Sequence, residues 1–523
     1  MTKAEGTKRH CMVVHAYYPL GETRVQREAA ALRDRGYEVD VICLRGPGEP
    51  AREHHDGVSV HRLPVGRHRG HGMAVQLLEY LVFFVMATIR LSWLHLRRRY
   101  RSVQVHNLPD FLVFAAVFPK ATGTPVILDL HDLMPEFFAA RLGLTMGHPL
   151  VRLVLFQERM ACRFADHVIT VTEGWRETLA GRSVPMTRST VVMNVADSAL
   201  FRRETSEIVP PNGKFEMIYH GTFTRRYGVD LAIEALNRVR DDVPQARLIL
   251  LGDGDTRSEL IRLTESLGLT DRVTFSEGMV DVNSLPGALR RAQVGIVPNR
   301  SNVFTDEILP TKLMELVAVG TPVIVARTPG VGAYFDDTMV RYFEPDDVDD
   351  LADAIRDLFL HADRRDELID RSDEFNRSHS WEAVSARYVD LVDRVGAACG
   401  ASGEGTVVPA SSMIHRRLTL VRSSDEPDDP RWDRFLEEHG HHTQTSLWGQ
   451  IKASMGWQAV RVVAEQGDRI VGGAQILMRR LAMGGNVGFV SRGPVLAEPD
   501  AAVAGLVMDE LELIARRLGT SHL

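Results

Sequence analysis

Two glutamates stand in Glu307-Ile-Leu-Pro-Thr-Lys-Leu-Met-Glu315-Leu-Val-Ala-Val-Gly320-Thr-Pro322. Pro310 and Thr311 can open a helix there, and Gly320 and Pro322 can end it. Glu307 then falls in the loop ahead of the helix and Glu315 in its second turn, so both carboxylates can face a ligand held at the helix N-terminus. Free N–H groups and the helix dipole favour a phosphate at that point. Carboxylates beside a phosphate suit neutral hydroxyl donors, such as those of a sugar and a ribose. Taken alone, the spacing is more often an acidic loop and a solvated helix glutamate, so the surrounding elements decide.

Other residues of chemical interest sit where strands end. His131 and Asp132 follow PVILDL and would face a cleft; a lone histidine there is as often merely hydrogen-bonded. Gly21 and Arg24 fall in the first strand-to-helix loop, where a glycine permits close backbone approach to a ligand. Gly252-Asp253-Gly254 lacks the lysine of a Walker loop and the third glycine of a dinucleotide fingerprint; it reads as a turn lining the nucleotide site. The clustered histidines (His54-His55; His439, His441, His442) have no carboxylate or cysteine partners at metal-ligand spacing and read as solvated. No Asp-x-Asp follows a strand, so arginine and helix dipole rather than a cation should meet the charge of a leaving diphosphate. No essential metal is expected.

The elements that would position these residues alternate. CMVVHAYYP, YEVDVICL, SVQVHNLP, PVILDLHD, HVITVT and STVVMNV are strand-like runs separated by helical stretches, and FEMIYHG, ARLILLGDG, DRVTFSEG, VGIVPN, TPVIVA and VRYFE form a second such series. This is the α/β pattern of two doubly wound parallel-sheet domains, over 1–205 and 206–397, with ligands in the cleft between them. Residues 398–412 are small, Gly/Ser-rich and nearly uncharged, a linker. Residues 413–523 follow as an α+β unit with a hairpin signal at Gln466-Gly467-Asp468.

A chain of 523 residues accommodates three such units. At 44% hydrophobic and 25% charged it is globular. Residues 1–200 carry 25 Lys and Arg against 19 Asp and Glu, so of the net −7 the remainder holds −13. A basic front half without a long Lys/Arg tract suits an anionic surface or substrate, and no nucleic-acid partner is expected. Four dispersed cysteines encode neither a disulfide framework nor a zinc knuckle. The first 20 residues lack a signal-peptide core, which points to the cytoplasm.

With E-x7-E and the closing G-x-P-V in the second of two Rossmann-like domains, residues 10–395 resemble the retaining GT-B glycosyltransferases of family 4. AYYPLGETRVQREAAAL, VHNLPDFLV, LDLHDLMPE, ADHVITVTEGW, VVMNVAD, YHGTFTRRYGVDLAIEA and SWEAVSARYVDLV carry the resemblance. It implies a nucleotide-sugar donor on the second domain and a glycan or lipid-linked acceptor against the first. Glu315 would hold the ribose, Glu307 the transferred sugar, and His131 the donor sugar or reacting centre. Gly21, Gly221, Gly254, Thr311 and Leu313 would contribute to the donor site, and Arg24, Asp132 and Asn107 would face the acceptor or cleft. The family's basic pair is replaced by Thr222 and Tyr227, so Arg226, supported by Lys312, is expected to carry the diphosphate. The helix 381–395 is expected to return to the first domain. No cofactor beyond the nucleotide-sugar co-substrate is expected.

Residues 432–523 resemble the opening of FemAB-type peptidyltransferases, relatives of the GNAT acyltransferases, through TSLWGQIK, Gly456-Trp457, IVGGA and Arg492-Gly493-Pro494. The chain is expected to end inside the first of two such subdomains, without an intact acyl-transfer site.

Residues 77–96 are the most apolar stretch. Glu79 and Arg90 leave ten uncharged residues between them, too few to span a bilayer. A buried helix is one reading. The other, suggested by the basic flanks Arg62, Arg67, Arg69 and Arg97 to Arg101, is a helix lying on an anionic leaflet through residues 62–101, which would place the protein peripherally on the inner face of the plasma membrane. The whole is read as a retaining glycosyltransferase of cell-envelope or exopolysaccharide synthesis. A GT-B epimerase or phosphorylase, and a non-catalytic sugar-nucleotide-binding module attached to the FemAB-like unit, stand as alternatives.

Overall fold

The computed structural model describes residues 8–19, 22–66, 73–204, 213–398, 419–440, 442–466, 469–480, 486–491, 493–497, 501–517 and 520–522. Gly21 and the linker 398–412, apart from residue 398, lie outside the described residues. The chain divides into two compact units, Met1–Gly405 and Thr406–Leu523.

The first unit holds two sheets. One contains β1 (Arg9–Tyr17), β2 (Glu38–Leu44), β3 (Arg52–His55), β4 (Val58–Leu63), β5 (Ser102–His106), β6 (Val126–Leu130), β7 (His167–Thr170) and β8 (Ser189–Val191), in the order β3-β4-β2-β1-β5-β6-β7-β8. All neighbours are parallel except β3 and β4. That hairpin, turning at Asp56-Gly57 with both residues at positive φ, is an addition to the strands read from the sequence. Its first strand is polar and mostly exposed (Arg52, Glu53, His54), which hides it from a search for apolar runs.

The other sheet contains β9 (Phe215–His220), β10 (Ala246–Leu251), β11 (Val273–Phe275), β12 (Val294–Val297), β13 (Val323–Ala326) and β14 (Arg341–Phe343), all parallel, in the order β11-β10-β9-β12-β13-β14. In both sheets the central strands are apolar without alternation because helices cover both faces: VILDL, VGIV and VIVA are buried throughout.

Helix Trp381–Ala398 crosses back onto the first sheet. Tyr388 Oη donates to Gln104 Oε1 at 2.7 Å, and Asp393 accepts from Lys8 Nζ at 2.8 Å and Tyr37 Oη at 2.6 Å.

Helix Met73–Arg98 packs Phe83, Ala87, Leu91 and Leu94 into the core beside the first sheet. The segment Ala74–Arg98 is long and apolar enough to cross a membrane by length and composition, with only 22% of its apolar window buried. Both charges turn to the protein: Glu79 lies 3.1 Å from His15, and Arg90 donates to His61 at 2.8 Å.

The second unit is an antiparallel sheet of β15 (Thr419–Ser424), β16 (Gln458–Gln466), β17 (Arg469–Arg480) and β18 (Asn486–Val490), extended by β20 (Thr520–His522) parallel to β18; β19 (Val495–Leu496) pairs with β17. Residues 467 and 468 of the expected turn lie outside the described residues, and the strands on either side pair as a hairpin. Trp432, on helix Pro430–His439, is fully buried and donates from Nε1 to the Gln444 carbonyl at 2.8 Å.

Candidate active site

The carboxyl ends of both sheets in the first unit open into one cavity of about 300 Å³. His131, Asp132, Gly221, Thr311, Lys312 and Glu315 line it, as do His220, Tyr227, Thr172, Trp175, Asn194 and Phe304. Asn107, Arg24, Leu313, Gly254, Arg226 and Glu307 are not on its wall.

On the first-domain side, β6 ends at His131 and Asp132. Asn107, buried at the end of β5, holds that loop: its Nδ2 donates to the Asp132 carbonyl at 2.6 Å and to Asp110 Oδ1 at 3.1 Å, and its Oδ1 accepts from the His131 amide at 3.1 Å. Asn107 thus positions the cleft residues without lining the cavity. Burial pushes the Asp132 carboxyl up to about 6, against the opposing pull of His131.

Arg24 turns away from the cavity. Its guanidinium grips Asp129 through two bonds of 2.8 and 3.1 Å, lies 3.1 Å from Glu28, and donates to the Val192 carbonyl (2.9 Å) and Asn194 Oδ1 (2.7 Å). Burial works against ionisation of Asp129, but Arg24 and His106 overcome it and hold the carboxyl well below the usual range. Burial dominates at Glu28 and pushes it up to about 7. Among the described residues, His106, Asp129 and His131 bring potential metal-ligand atoms within 4.8 Å of one another. Arg24 already neutralises Asp129, so the group suits an ion-paired cleft floor.

On the second-domain side, helix Thr311–Val319 begins without a side-chain cap, leaving its first amides directed at the cavity. Leu313 is fully buried beneath it. Glu315 Oε2 lies 2.7 Å from His220 Nε2 and accepts from it in the tautomer that carries the proton there. Lys312 Nζ lies 2.8 Å from Tyr219 Oη, over the rings of Tyr219 (4.3 Å to the centroid) and Tyr227 (4.1 Å). Burial pulls this amine down to about 7. Gly221, at φ +117°, lies beside it: a Cβ there would be 3.7 Å from Lys312 Nζ. Gly254 serves a neighbouring loop, since a Cβ would meet the Phe223 carbonyl oxygen at 2.1 Å.

Arg226 lies beside the cavity, over Tyr227 (5.0 Å), Phe137 (5.4 Å) and Phe304 (6.0 Å). Lys312, expected only to support Arg226, is the cation on the wall. Glu307 is half-buried and reaches toward the first domain, its Oε2 3.4 Å from where a Cβ of Gly174 would stand. His220 was missed as a candidate because nothing local marks it; its signal was its place at the end of β9. Thr172, which caps helix Glu173–Ala180 by accepting from the Trp175 amide at 3.2 Å, and Asn194 were visible only as members of the motifs VITVTEGW and VVMNVAD.

Residues 21–194 match the glycosyl transferase 4-like domain, and residues 201–375 match the glycosyl transferases group 1 family. Residues 21–375 thus form a glycosyltransferase unit of GT-B type. Residues 428–521 match the FemAB family. Among curated relatives, the chitobiosyldiphosphodolichol beta-mannosyltransferase of Debaryomyces hansenii is 24% identical over 297 residues, 51% of this chain and 62% of that protein. The phosphatidylinositol N-acetylglucosaminyltransferase gpi3 subunit of Schizosaccharomyces pombe is 26% identical over 310 residues, 57% of this chain and again 62% of the relative. The chain therefore spans about three-fifths of the length of these two relatives. Sucrose-phosphate synthase from Thermosynechococcus elongatus superposes with a TM-score of 0.61 at 20% identity, covering 75% of this chain and all of that one. HepE of Anabaena in complex with UDP-glucose gives 0.57 at 16%, covering 74% and 99%. These likenesses establish the fold of the GT-B unit.

Proposed function

We propose that the GT-B unit transfers a sugar from a nucleoside diphosphate sugar to a hydroxyl acceptor with retention of anomeric configuration. The observation that carries this reading is the convergence of Glu315, the uncapped helix start at Thr311 and the Lys312 amine on one cavity whose opposite wall is His131 and Asp132. A ribose diol would donate to Glu315, held in place by His220. The diphosphate would take the Thr311 and Lys312 amides, the Gly221 loop and the Lys312 amine. The sugar would then extend toward His131, and the acceptor would enter on the first-domain side.

In this reading the leaving phosphate itself takes the acceptor's proton on the face from which it departs. The C1–O bond to the diphosphate breaks, the acceptor oxygen bonds to C1 on that same face, and its proton leaves with the diphosphate. Catalysis is then positioning and electrostatics. The relatives act, by their names, on a diphosphodolichol and a phosphatidylinositol, which supports a lipid-linked acceptor, as in cell-envelope glycan synthesis.

A thermal-shift screen of UDP-, GDP- and ADP-sugars identifies the donor, since a ligand at about 100-fold its Kd adds about 2.7 kcal/mol of stability. NMR of the product from an α-linked donor then reads the anomeric configuration. A β product overturns retention, and tight binding without turnover against any lipid-linked or glycan acceptor supports a binding module instead.

A further inference from the structure

Helix Met73–Arg98 exposes one apolar face: Leu77, Leu78, Leu81, Val82, Val85 and Ile89 are 43–66% exposed. A second helix, Pro149–Phe164, shows the same feature. Leu150, Leu153, Phe156 and Met160 form a stripe along it, Leu153 at 64% and Phe156 at 59% exposed. The two helices flank the short 3₁₀ helix Asp110–Ala116. Phe84 of the first meets Phe111 at 5.8 Å, and Phe164 of the second meets Phe114 at 5.1 Å. Val117, next in the chain, is itself half exposed. The stripes therefore belong to one side of the first domain.

Charge is sorted across these elements. The two helices carry one carboxylate each, and both are buried: Glu79 against His15, and Glu158 against Arg182 at 2.7 Å. On helix Met134–Leu142, which packs against the second helix, Glu136 is also turned inward, 2.5 Å from Arg182. What these helices present to solvent is basic: Arg97, Arg141, Arg152, Arg159 and Arg163 are exposed, and Arg90 and Arg98 half exposed. Trp93 lies among Arg97, Arg90 and Arg52, with guanidiniums 3.7, 4.9 and 5.5 Å from its ring, the amphipathic setting of a side chain at a headgroup boundary.

We propose that helices Met73–Arg98 and Pro149–Phe164 together form a docking face for an anionic lipid leaflet. The apolar stripes enter the acyl boundary and the arginines meet lipid phosphates. A protein partner or a second copy would need matching acidic side chains, and the described surface of these helices offers a second copy only arginines. Helix Met134–Leu142 starts two residues after Asp132, so the face reaches the first-domain side of the cavity. The proposal does not depend on glycosyl transfer.

The test is flotation of the full-length protein with vesicles of phosphatidylcholine alone and of phosphatidylcholine with about 30 mol% phosphatidylglycerol, at about 0.1 and 0.5 M NaCl. Binding to the anionic vesicles is expected, weakened at least tenfold by salt. Leu153→Glu/Phe156→Glu and Leu78→Glu/Ile89→Glu, all at exposed positions, should each lower partitioning at least tenfold while nucleotide affinity and the far-UV spectrum stay unchanged. Absence of binding to either vesicle overturns the proposal. Binding that ignores the Leu153/Phe156 pair removes the second helix from the face. A lipid-free dimer that the same substitutions dissociate assigns the face to a second copy instead.

Discussion

His220 Nε2 lies 2.7 Å from Glu315 Oε2, joining the last residue of β9 to the second turn of a helix 95 residues further along the chain. The bond leaves Glu315 aimed into the cavity with one oxygen committed and the other available to a ligand. Glu315→Ala should weaken binding of the bare nucleoside diphosphate by about 1–3 kcal/mol, the cost of removing a charged acceptor from buried hydroxyls. His220→Ala should weaken it less, and Glu307→Ala should chiefly lower turnover. Calorimetric titration separates them; equal affinity for wild type and the Glu315 variant would defeat the ribose assignment.

Lys312 holds its proton weakly, at about 7 against an ordinary 10.5. A bound diphosphate adds negative charge beside it and raises its pKa in the complex. Well below pH 7 the amine is charged in both states and adds no pH dependence of its own. Between 7 and the higher pKa of the complex, binding takes up a proton and affinity falls as pH rises. Titrations near pH 8 in buffers of different ionisation enthalpy should report that uptake, and Lys312→Met should abolish it. Lys312→Met should also cost more affinity than Arg226→Ala, and Arg225→Ala should cost least, because Arg225 is exposed and Arg226 lies beside the wall. Reversal of that order returns the diphosphate to Arg226.

Arg24→Met should destabilise the protein by about 3 kcal/mol at neutral pH by leaving Asp129 in the interior without its guanidinium, with His106 and Gln104 as its remaining partners. Arg24→Met/Asp129→Leu should recover part of the loss. Denaturant unfolding of the wild type and the two variants measures it, and a cost below about 1 kcal/mol would place Arg24 in the cleft after all.

A protein ending near Ala401 should stay folded and keep its nucleotide affinity, since the first unit contains its own closing helix, Trp381–Ala398. Loss of binding on truncation, or robust aminoacyl transfer from charged tRNA by the full chain, would contradict this division of labour.

The helix that presents Glu315 was legible because its punctuation is local: Pro310 before it, Gly320 and Pro322 after. The sheets were legible because a strand covered on both faces must be apolar throughout. What escaped depends on partners distant in sequence. Arg24 reads as a cleft residue until Asp129, 105 residues away, draws it under the floor. His220 has no meaning without Glu315. The apolar spacing of Leu150, Leu153, Phe156 and Met160 marks a helix face, but only the inward turn of Glu158 toward Arg182 shows that the stripe looks outward.

The bond between Tyr388 and Gln104 spans 284 residues, and it sets a schedule for synthesis. At about 5–20 residues per second, a ribosome needs about 15–60 s after making Gln104 before Tyr388 exists to cover it. Once β8 is complete at Val191, and until Tyr388 is made, the first domain has all its strands but lacks the helix that closes one side, leaving the buried end of Gln104 and the ring of Tyr37 open to solvent. The second domain is made entirely within the same interval. The domain translated first is therefore the one completed last, and a chaperone bound to the nascent chain would find its target on the older half of the molecule.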